Sequence, residues 1–278
     1  MLENFNCQIC GSDKFKVLDH EYFRGNKFEY AICKKCSFVS QGDLYYTDKF
    51  LKLPYQTQGN YDEHSKNRAN YIYEFSKDHI GRDIDVFDIG CSMGGTMKYF
   101  KELVADANIS GCTILSDGEK IISSDLKIIN KDFNEIFFTK KYDFIIMSHV
   151  LEHFIDVRET LQKVQSIMKK DSVTYIEVPW IDYLNVRIPF EFCPEHISYF
   201  TPHSLKNLLL TEGFEILKIT SSKYWGNIKV LISKKQKEKT VFVKNKLYLL
   251  YMLERYCRKA THWFYRFMFK CYKIKPNS

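Results

Sequence analysis

One segment of the chain combines residue types that could cradle a nucleotide-like cofactor: residues 86–95, which read VFDIGCSMGG. Its first half is apolar and predicts a buried strand, and its second half holds three glycines ahead of a helix predicted over 96–104. Glycines let a backbone turn tightly and approach a ligand closely. The helix N-terminus offers free N–H groups and a partial positive charge. The segment therefore predicts a cofactor site at the carboxyl end of a parallel sheet.

Four N-terminal cysteines have the spacing of a tetrahedral metal site: Cys7, Cys10, Cys33 and Cys36. They form two C-x2-C pairs separated by 22 residues, and each pair can place two thiolates on one metal ion. Four thiolate ligands leave no open coordination position, so we expect a structural zinc ion. Residues 15–32 alternate as strands do, with a turn at 24–26, which predicts a small zinc ribbon.

The elements that would position the cofactor alternate between strand and helix. This alternation predicts an α/β fold with a Rossmann-like, mostly parallel sheet, and the two adjacent strands at its end predict an antiparallel edge. The predicted strands are 84–89, 108–115, 126–130, 142–147, 172–178, 214–220 and 227–233, and the predicted helices are 62–79, 96–104, 118–123, 158–169 and 202–211.

Length and composition divide the 278-residue chain into three predicted parts. Residues 1–55 form the zinc-binding module and a connector, 56–236 the α/β domain, and 237–278 a basic, aromatic helical tail. Residues 234–278 hold thirteen Lys and Arg against two Glu, a balance of +11, so the rest of the chain carries −4. For the tail we expect packing on the body or on a second subunit first, an anionic membrane surface second, and RNA third.

The N-terminus is polar, and the chain has no run of eighteen apolar residues. We therefore expect a cytoplasmic protein, with contact to the inner face of the membrane through the tail as a second option. In that compartment, nine cysteines indicate metal binding or buried thiols rather than disulfides.

The order of these signals resembles the class I S-adenosylmethionine-dependent methyltransferases, over about residues 71–235. Asp88-x-Gly90-x-Ser92-x-Gly94 resembles the family's acidic-x-Gly-x-Gly-x-Gly motif, with Ser92 in place of the middle glycine. Three further segments follow in the family's order: SHVLEHF at 148–154, YIEVP at 175–179 and EHISYFTP at 195–202. The last is similar to a segment of small-molecule and sugar methyltransferases, some of which begin with a four-cysteine zinc module.

The resemblance implies an S-adenosylmethionine site and residues that line it. Thr113 stands where the family usually has an acidic ribose ligand, with Asp117 as the nearest carboxylate. Asp132 and Phe133 resemble the pair that contacts the adenine. Tyr61, together with Tyr55 and Gln58, lies in a segment that covers the cofactor in related enzymes. The full set of implied cofactor residues is Asp88, Gly90, Ser92, Gly94, Thr113, Asp132, Phe133, Ser148 and Tyr61.

Three histidines are candidates for a general base, because histidine exchanges protons near neutral pH. His196 lies in a loop beside Glu195, and the resemblance to sugar C-methyltransferases supports it as the first choice. His153, in the Leu-Glu-His run, and His149, at the end of the fourth strand, follow it. For each histidine the alternative is a packed or hydrogen-bonding side chain.

We therefore expect methyl transfer to a small hydrophilic acceptor, best a hydroxyl of a sugar, a nucleotide-linked sugar or another surface-polysaccharide precursor. The acceptor pocket is expected in the loop at 180–194. Three alternatives stay open: a sugar C-methyltransferase, an RNA base methyltransferase, and a non-catalytic zinc-ribbon protein in which Ser92 and Thr113 mark a lost cofactor site. Nucleic acid is the less expected acceptor, because the body is not basic.

Overall fold

The computed structural model describes residues 6–23, 26–41, 61–114, 121–122, 124–181, 195–222 and 226–234. The predicted tail, the segment with Tyr55 and Gln58, Asp117, most of the predicted helix at 118–123 and most of the predicted acceptor loop lie outside these residues.

Strands and helices alternate through the described part of the chain. The strands are β1 (Phe15–Phe23), β2 (Asn26–Cys33), β3 (Val39–Gln41), β4 (Asp85–Ile89), β5 (Asn108–Thr113), β6 (Lys127–Asn130), β7 (Tyr142–Ser148), β8 (Met168–Pro179), β9 (Ser198–Tyr199), β10 (Phe214–Ser222) and β11 (Asn227–Lys234). The α-helices are α1 (Tyr61–Ser76), α2 (Gly95–Leu103), α3 (Val157–Ile167) and α4 (Pro202–Thr211), and two short 3₁₀ helices cover Phe133–Glu135 and Leu151–His153.

The body is a seven-stranded sheet in the order β10-β11-β8-β7-β4-β5-β6. The five strands from β8 to β6 run parallel to one another, whereas β11 runs antiparallel to both β8 and β10. The predicted parallel sheet with an antiparallel edge is thus confirmed. Strand order reverses between β4 and β7, and open α/β sheets bind ligands in the crevice at such a point.

Apolar side chains alternate between the two faces of the central strand, which is why the sheet is buried on both sides. Phe87 and Ile89 of β4 pack into one core layer, and Val86 packs into the other with Phe100 of α2 and Phe144 of β7. Of the helices in the described ranges, none combines the length and apolar character that crossing a bilayer requires.

The boundary between α3 and β8 differs from the prediction. The helix ends at Ile167 rather than Lys169, and β8 begins at Met168 rather than Ser172. Met168 is extended, with φ −75° and ψ 138°, fully buried, and paired with Tyr142 of β7. The apolar periodicity of the helix continues to Met168, but this residue is in a strand, and its side chain is buried in the core from there.

A second, four-stranded antiparallel sheet joins the N-terminal module to the body. Its order is β1-β2-β3-β9, and β9 comes from the loop that follows the predicted acceptor segment. Val39 pairs with Tyr199, Ser40 pairs with Ser198, and the Gln41 N–H donates to the Ile197 carbonyl at 2.9 Å. The β1–β2 hairpin was predicted from the sequence, but the contribution of β9 was not.

Candidate functional site

The glycine turn after β4 adopts the conformation that its pattern predicts. Gly90, Ser92 and Gly94 have φ of 76°, 52° and 91°, all in the left-handed region. The Gly90 N–H donates to the Cys112 carbonyl at 2.8 Å, which ties the turn to the end of β5. Ser92 therefore takes the backbone conformation that glycine would take at this position, so its presence does not remove the turn.

Two of these glycines also lack room for a side chain. A Cβ at Gly90 would lie 2.6 Å from Val150 Cγ2, and one at Gly94 would lie 2.6 Å from Leu126 Cδ1. Gly94 is the N-cap residue of α2, so the N-terminal end of that helix, with its partial positive charge, begins at the turn. A tight turn at a helix N-terminus fits the anionic carboxylate of a nucleotide-linked amino acid such as S-adenosylmethionine.

Asp88 supplies a buried carboxyl group beside this turn. Its side chain is 3% exposed. Burial raises the pKa of Asp88 to about 7, and the positive charge of Arg68 only partly opposes that rise. A buried carboxyl group of this kind fits a cationic ligand, and S-adenosylmethionine carries a sulfonium and an ammonium group.

Three other predicted cofactor residues lie at the carboxyl ends of β5 and β6. Thr113 ends β5 and is 8% exposed, and Asp132 accepts a 2.7 Å hydrogen bond from the Asn134 N–H. The ring of Phe133 is buried against Phe138 and Phe154. Tyr61 is the first residue of α1. The structure thus gathers the ends of β4, β5 and β6 as predicted, while the ligand contacts of individual residues remain proposals.

A buried carboxylate on β8 organises the neighbouring edge. Glu177 Oε2 accepts hydrogen bonds from the hydroxyls of Ser148, at 3.1 Å, and Tyr175, at 3.0 Å, and Oε1 accepts one from Asn227 Nδ2 at 2.9 Å. Although burial opposes ionisation, the nearby charges of His149 and Lys229 keep the pKa of Glu177 below its ordinary value. Ser148, predicted to contact the cofactor, thus donates to Glu177.

Sequence reasoning gave Glu177 no role, although one signal was available. A glutamate stands in the apolar strand segment YIEVP, and a charged residue in such a strand is buried only where partners satisfy it. Asn227 carried no comparable signal, because its pairing depends on the antiparallel register of β11 with β8.

His149 lies between two buried carboxylates. It follows β7 directly, with φ of 54°, and its backbone N–H donates to the Glu177 carbonyl at 2.8 Å. Its Nδ1 is 3.5 Å from Glu152 Oε1, and its Nε2 is 3.8 Å from Glu177 Oε1. Asn227 Nδ2 lies 3.3 Å from the same Nε2. An imidazole placed so has both ring nitrogens beside negative charge.

His153 and His196 meet although they are 43 positions apart in the chain. Their ring centroids are 4.9 Å apart, with the rings nearly perpendicular. His153 Nδ1 is 2.9 Å from the carbonyl oxygen of Glu195, so Glu195 contributes its backbone here. Burial, followed by the charge of His153, lowers the pKa of His196 to about 4. The structure therefore brings together the histidines that the sequence singled out.

The four N-terminal cysteines converge as predicted. Cys7 Sγ lies 3.4 Å from Cys36 Sγ, and Cys10 Sγ lies 3.5 Å from Cys33 Sγ. All four sulfur atoms lie within 4.8 Å of one another. Each pair sits on a tight turn, since the N–H of Gly11 and of Ser37 donates back to the carbonyl of the first cysteine of its pair. Such a sulfur cluster fits a tetrahedral zinc ion.

The cysteine module docks on the elements that carry the histidines. Gln8 donates to the Ile155 carbonyl at 2.6 Å and accepts from the Val157 N–H at 2.9 Å, at the start of α3. The ring of Phe38 packs on that of Phe200, with centroids 5.7 Å apart. The module therefore supports the loop of His196 from one side and the Leu-Glu-His turn from the other.

Comparison with known proteins agrees with this geometry. Residues 60–219, more than half of the chain, match the family described as "Methyltransferase domain". A curated relative, (S)-tetrahydroprotoberberine N-methyltransferase of Eschscholzia californica, is 26% identical over 100 residues, which are 33% of this chain and 29% of the relative. A second relative, probable (S)-tetrahydroprotoberberine N-methyltransferase 2 of Papaver bracteatum, is 27% identical over 100 residues. These residues are 33% of this chain and 28% of the relative. The chain thus matches less than a third of the length of these relatives.

Among solved structures, a SAM-dependent methyltransferase from Archaeoglobus fulgidus is similar, with a TM-score of 0.50 and 21% sequence identity. The similar region covers 62% of this chain and 94% of that one. The sheet order, the glycine turn after β4 and the family match lead to one conclusion. The chain belongs to the methyltransferase-domain family and has the class I fold of S-adenosylmethionine-dependent methyltransferases.

Proposed function

We propose that this protein transfers the methyl group of S-adenosylmethionine to a hydroxyl of a small hydrophilic acceptor, such as a sugar, a nucleotide-linked sugar or a related precursor. The observation that carries the proposal is the position of His149 between Glu152 and Glu177 at the carboxyl end of β7. This edge of the sheet is where class I folds bring acceptor and cofactor together.

The chemistry explains why a hydroxyl suits this arrangement. The cofactor supplies a methyl group on a positively charged sulfur, and the protein aligns the acceptor and removes its proton. A hydroxyl is a weak nucleophile until its proton leaves, so it depends on a base more than a neutral amine does. When His149 accepts that proton, the imidazolium gains two carboxylate neighbours, which is the base-and-orienter arrangement of activated nucleophiles.

The two plant relatives are named N-methyltransferases, so an amine is the alternative to a hydroxyl as the acceptor. Their match covers only a third of this chain, so it leaves the acceptor open. The sequence ranking placed His196 first, with Glu195 beside it, and His153 and His149 equally after it. We move the base role to His149 because the two buried carboxylates flank this histidine.

The proposal is tested in two steps. Calorimetric titration with S-adenosylmethionine and S-adenosylhomocysteine should give micromolar binding of both, after which nucleotide sugars are screened as acceptors. His149→Gln should then lower kcat by about 10²- to 10⁴-fold, the usual range for loss of a general base, with little change in cofactor affinity. The matched control is His79→Gln, because His79 is exposed in the turn after α1. Equal turnover of the two variants would refute the role of His149.

We also propose that the four cysteines hold a structural zinc ion. The support is the sulfur cluster and its two turns, which place four ligands without an open position. Metal analysis of the purified protein should find zinc that is lost in Cys7→Ser. A cysteine outside the cluster, Cys112, is buried at the end of β5, and Cys112→Ser serves as the control that keeps the metal.

A further inference from the structure

A second cluster of metal-ligating side chains lies at the functional edge, apart from the cysteines. Glu152, His153 and His196 each offer one ligand atom, and these atoms all lie within 4.8 Å of one another. The first two belong to the 3₁₀ helix Leu151–His153, and His196 precedes β9. The Ile197 N–H donates to the Glu152 carbonyl at 2.9 Å, which holds the two segments together.

The carboxylate of this cluster is buried, and it has no hydrogen bond from the described part of the chain. Glu152 is 1% exposed, and among the residues that the structure describes, neither of its side-chain oxygens has a hydrogen-bond partner. His149 Nδ1 lies at ion-pair distance, 3.5 Å from Oε1, on one side of the carboxylate. Burial of a carboxylate with unsatisfied oxygens is costly, and such groups in proteins are paired or coordinate metals.

The first imidazole is prepared for a ligand. A carbonyl oxygen can only accept, so the 2.9 Å contact with Glu195 means that Nδ1 of His153 carries the ring proton. Its Nε2 therefore keeps a free lone pair. Metal-ligating histidines almost always donate their other ring N–H to a carbonyl or carboxylate in this way, which fixes the tautomer and the ring orientation.

We propose that Glu152, His153 and His196 bind a divalent transition-metal ion. Two imidazoles and one carboxylate are the donor set of catalytic zinc sites and of other open sites for borderline metals, and they suit Mg²⁺ and Ca²⁺ poorly. Ligand atoms about 2.1 Å from a tetrahedral ion lie about 3.4 Å from one another. The ligand atoms of the cluster lie within 4.8 Å of one another, and ion binding requires side-chain rotations that shorten these distances. Three protein ligands leave a position open, unlike the four-cysteine site.

The role of this ion rests on the proposed function. A tetrahedral ion with three protein ligands has one open position and gains a second when it expands to five ligands, so it suits an acceptor that carries two adjacent oxygen atoms, as a sugar diol does. A coordinated hydroxyl has a lowered pKa, and its proton passes to His149, which lies beside Glu152. The oxygen then forms its bond to the methyl carbon while the carbon–sulfur bond breaks and the cofactor leaves as the neutral thioether.

The test uses Mn²⁺ as the probe, because this ion binds carboxylate oxygen and, as the weakest-binding ion of the first-row series, does not replace zinc among thiolates. Titration of the full chain followed by electron paramagnetic resonance should show one Mn²⁺ site, displaced by added zinc. The double variant with His153→Ala and His196→Ala should lose this site and hold one zinc equivalent fewer than the wild type. His79→Gln should keep both.

Absence of Mn²⁺ binding by the wild-type chain at millimolar concentration, with only a single zinc equivalent bound, would overturn the proposal without recourse to any variant. Calorimetry with S-adenosylmethionine separates this failure from failure of the proposed function. A chain that binds cofactor and methylates acceptors in the presence of a chelator, with the cysteine zinc retained, has the proposed activity without this metal site.

Discussion

Replacement of Asp88 by Asn should stabilise the ligand-free protein, and the gain should grow as the pH rises. Burial raises the pKa of the Asp88 carboxyl group from 3.8 to about 7. The folded state therefore keeps this proton to a higher pH than the unfolded state does. Between the two pKa values, ionisation favours unfolding, so the penalty begins near pH 4 and is complete above pH 7.

The size of the effect follows from the shift. About three pKa units at 1.36 kcal/mol each give a penalty of about 4 kcal/mol above pH 7, and about 1.5 kcal/mol of it is already present at pH 5. The Asn side chain does not ionise and escapes this penalty. The stability of Asp88→Asn relative to the wild type should therefore rise by about 2 to 3 kcal/mol between pH 5 and pH 8.

Urea unfolding of both proteins at several pH values measures this difference. The matched control is Asp85→Asn on the same strand. Although desolvation opposes it, hydrogen bonds from Lys140, Lys169 and Asn108 lower the pKa of Asp85 to about 2. Its ionised form therefore stabilises the fold above pH 4, and Asp85→Asn should destabilise the protein at pH 7, by about 2 kcal/mol at most. Parallel pH profiles for Asp88→Asn and the wild type would refute the reasoning.

The same carboxyl group couples cofactor binding to pH. A cationic ligand beside Asp88 favours the ionised form, so S-adenosylmethionine should bind more tightly as the pH rises from 6 to 8, with release of a proton. Calorimetry in buffers with different ionisation enthalpies detects that proton. Asp88→Asn should show neither the proton release nor the pH dependence.

The remaining predictions concern the turn, its serine and the N-terminal module. Gly94→Ala forces a left-handed alanine against Leu126 and should cost about 2 to 4 kcal/mol in thermal unfolding. Gly226→Ala is also at positive φ, but no atom of the described residues lies within 4 Å of the added Cβ, so it should cost about 1 to 2 kcal/mol. Equal losses would contradict the close-packing argument. Ser92→Gly keeps the turn conformation and should retain cofactor affinity within a few-fold; a large loss would show that the serine hydroxyl binds the cofactor. Removal of the metal proposed at the cysteines should speed amide exchange at Ser198 and Tyr199 of β9 while that of β4 stays slow, because among the described strands of the body only β9 pairs with the module. Unchanged exchange at β9 would show that the module does not stabilise this strand.

The sequence by itself determined the features that depend on local pattern. Alternating apolar segments gave the strands and helices of the body, and the run from Asp88 to Gly94 gave the turn, because a left-handed turn needs glycine or a small residue at fixed spacing. The two C-x2-C pairs likewise predicted the cysteine cluster from local spacing, because each pair spans only four residues. The predicted end of α3 was wrong, because Met168 is extended rather than helical. Tertiary packing, and not apolar periodicity, decides where this helix ends.

Only the tertiary structure decided how the functional edge is assembled. Pairing of β3 with β9 brings His196 beside His153, and the register of β7 with β8 places Glu177 beside His149. These contacts join residues 28 to 160 positions apart, and nothing in a local period encodes them. The burial that removes water from these side chains, and so makes their charges interact strongly, exists only once the sheets are packed.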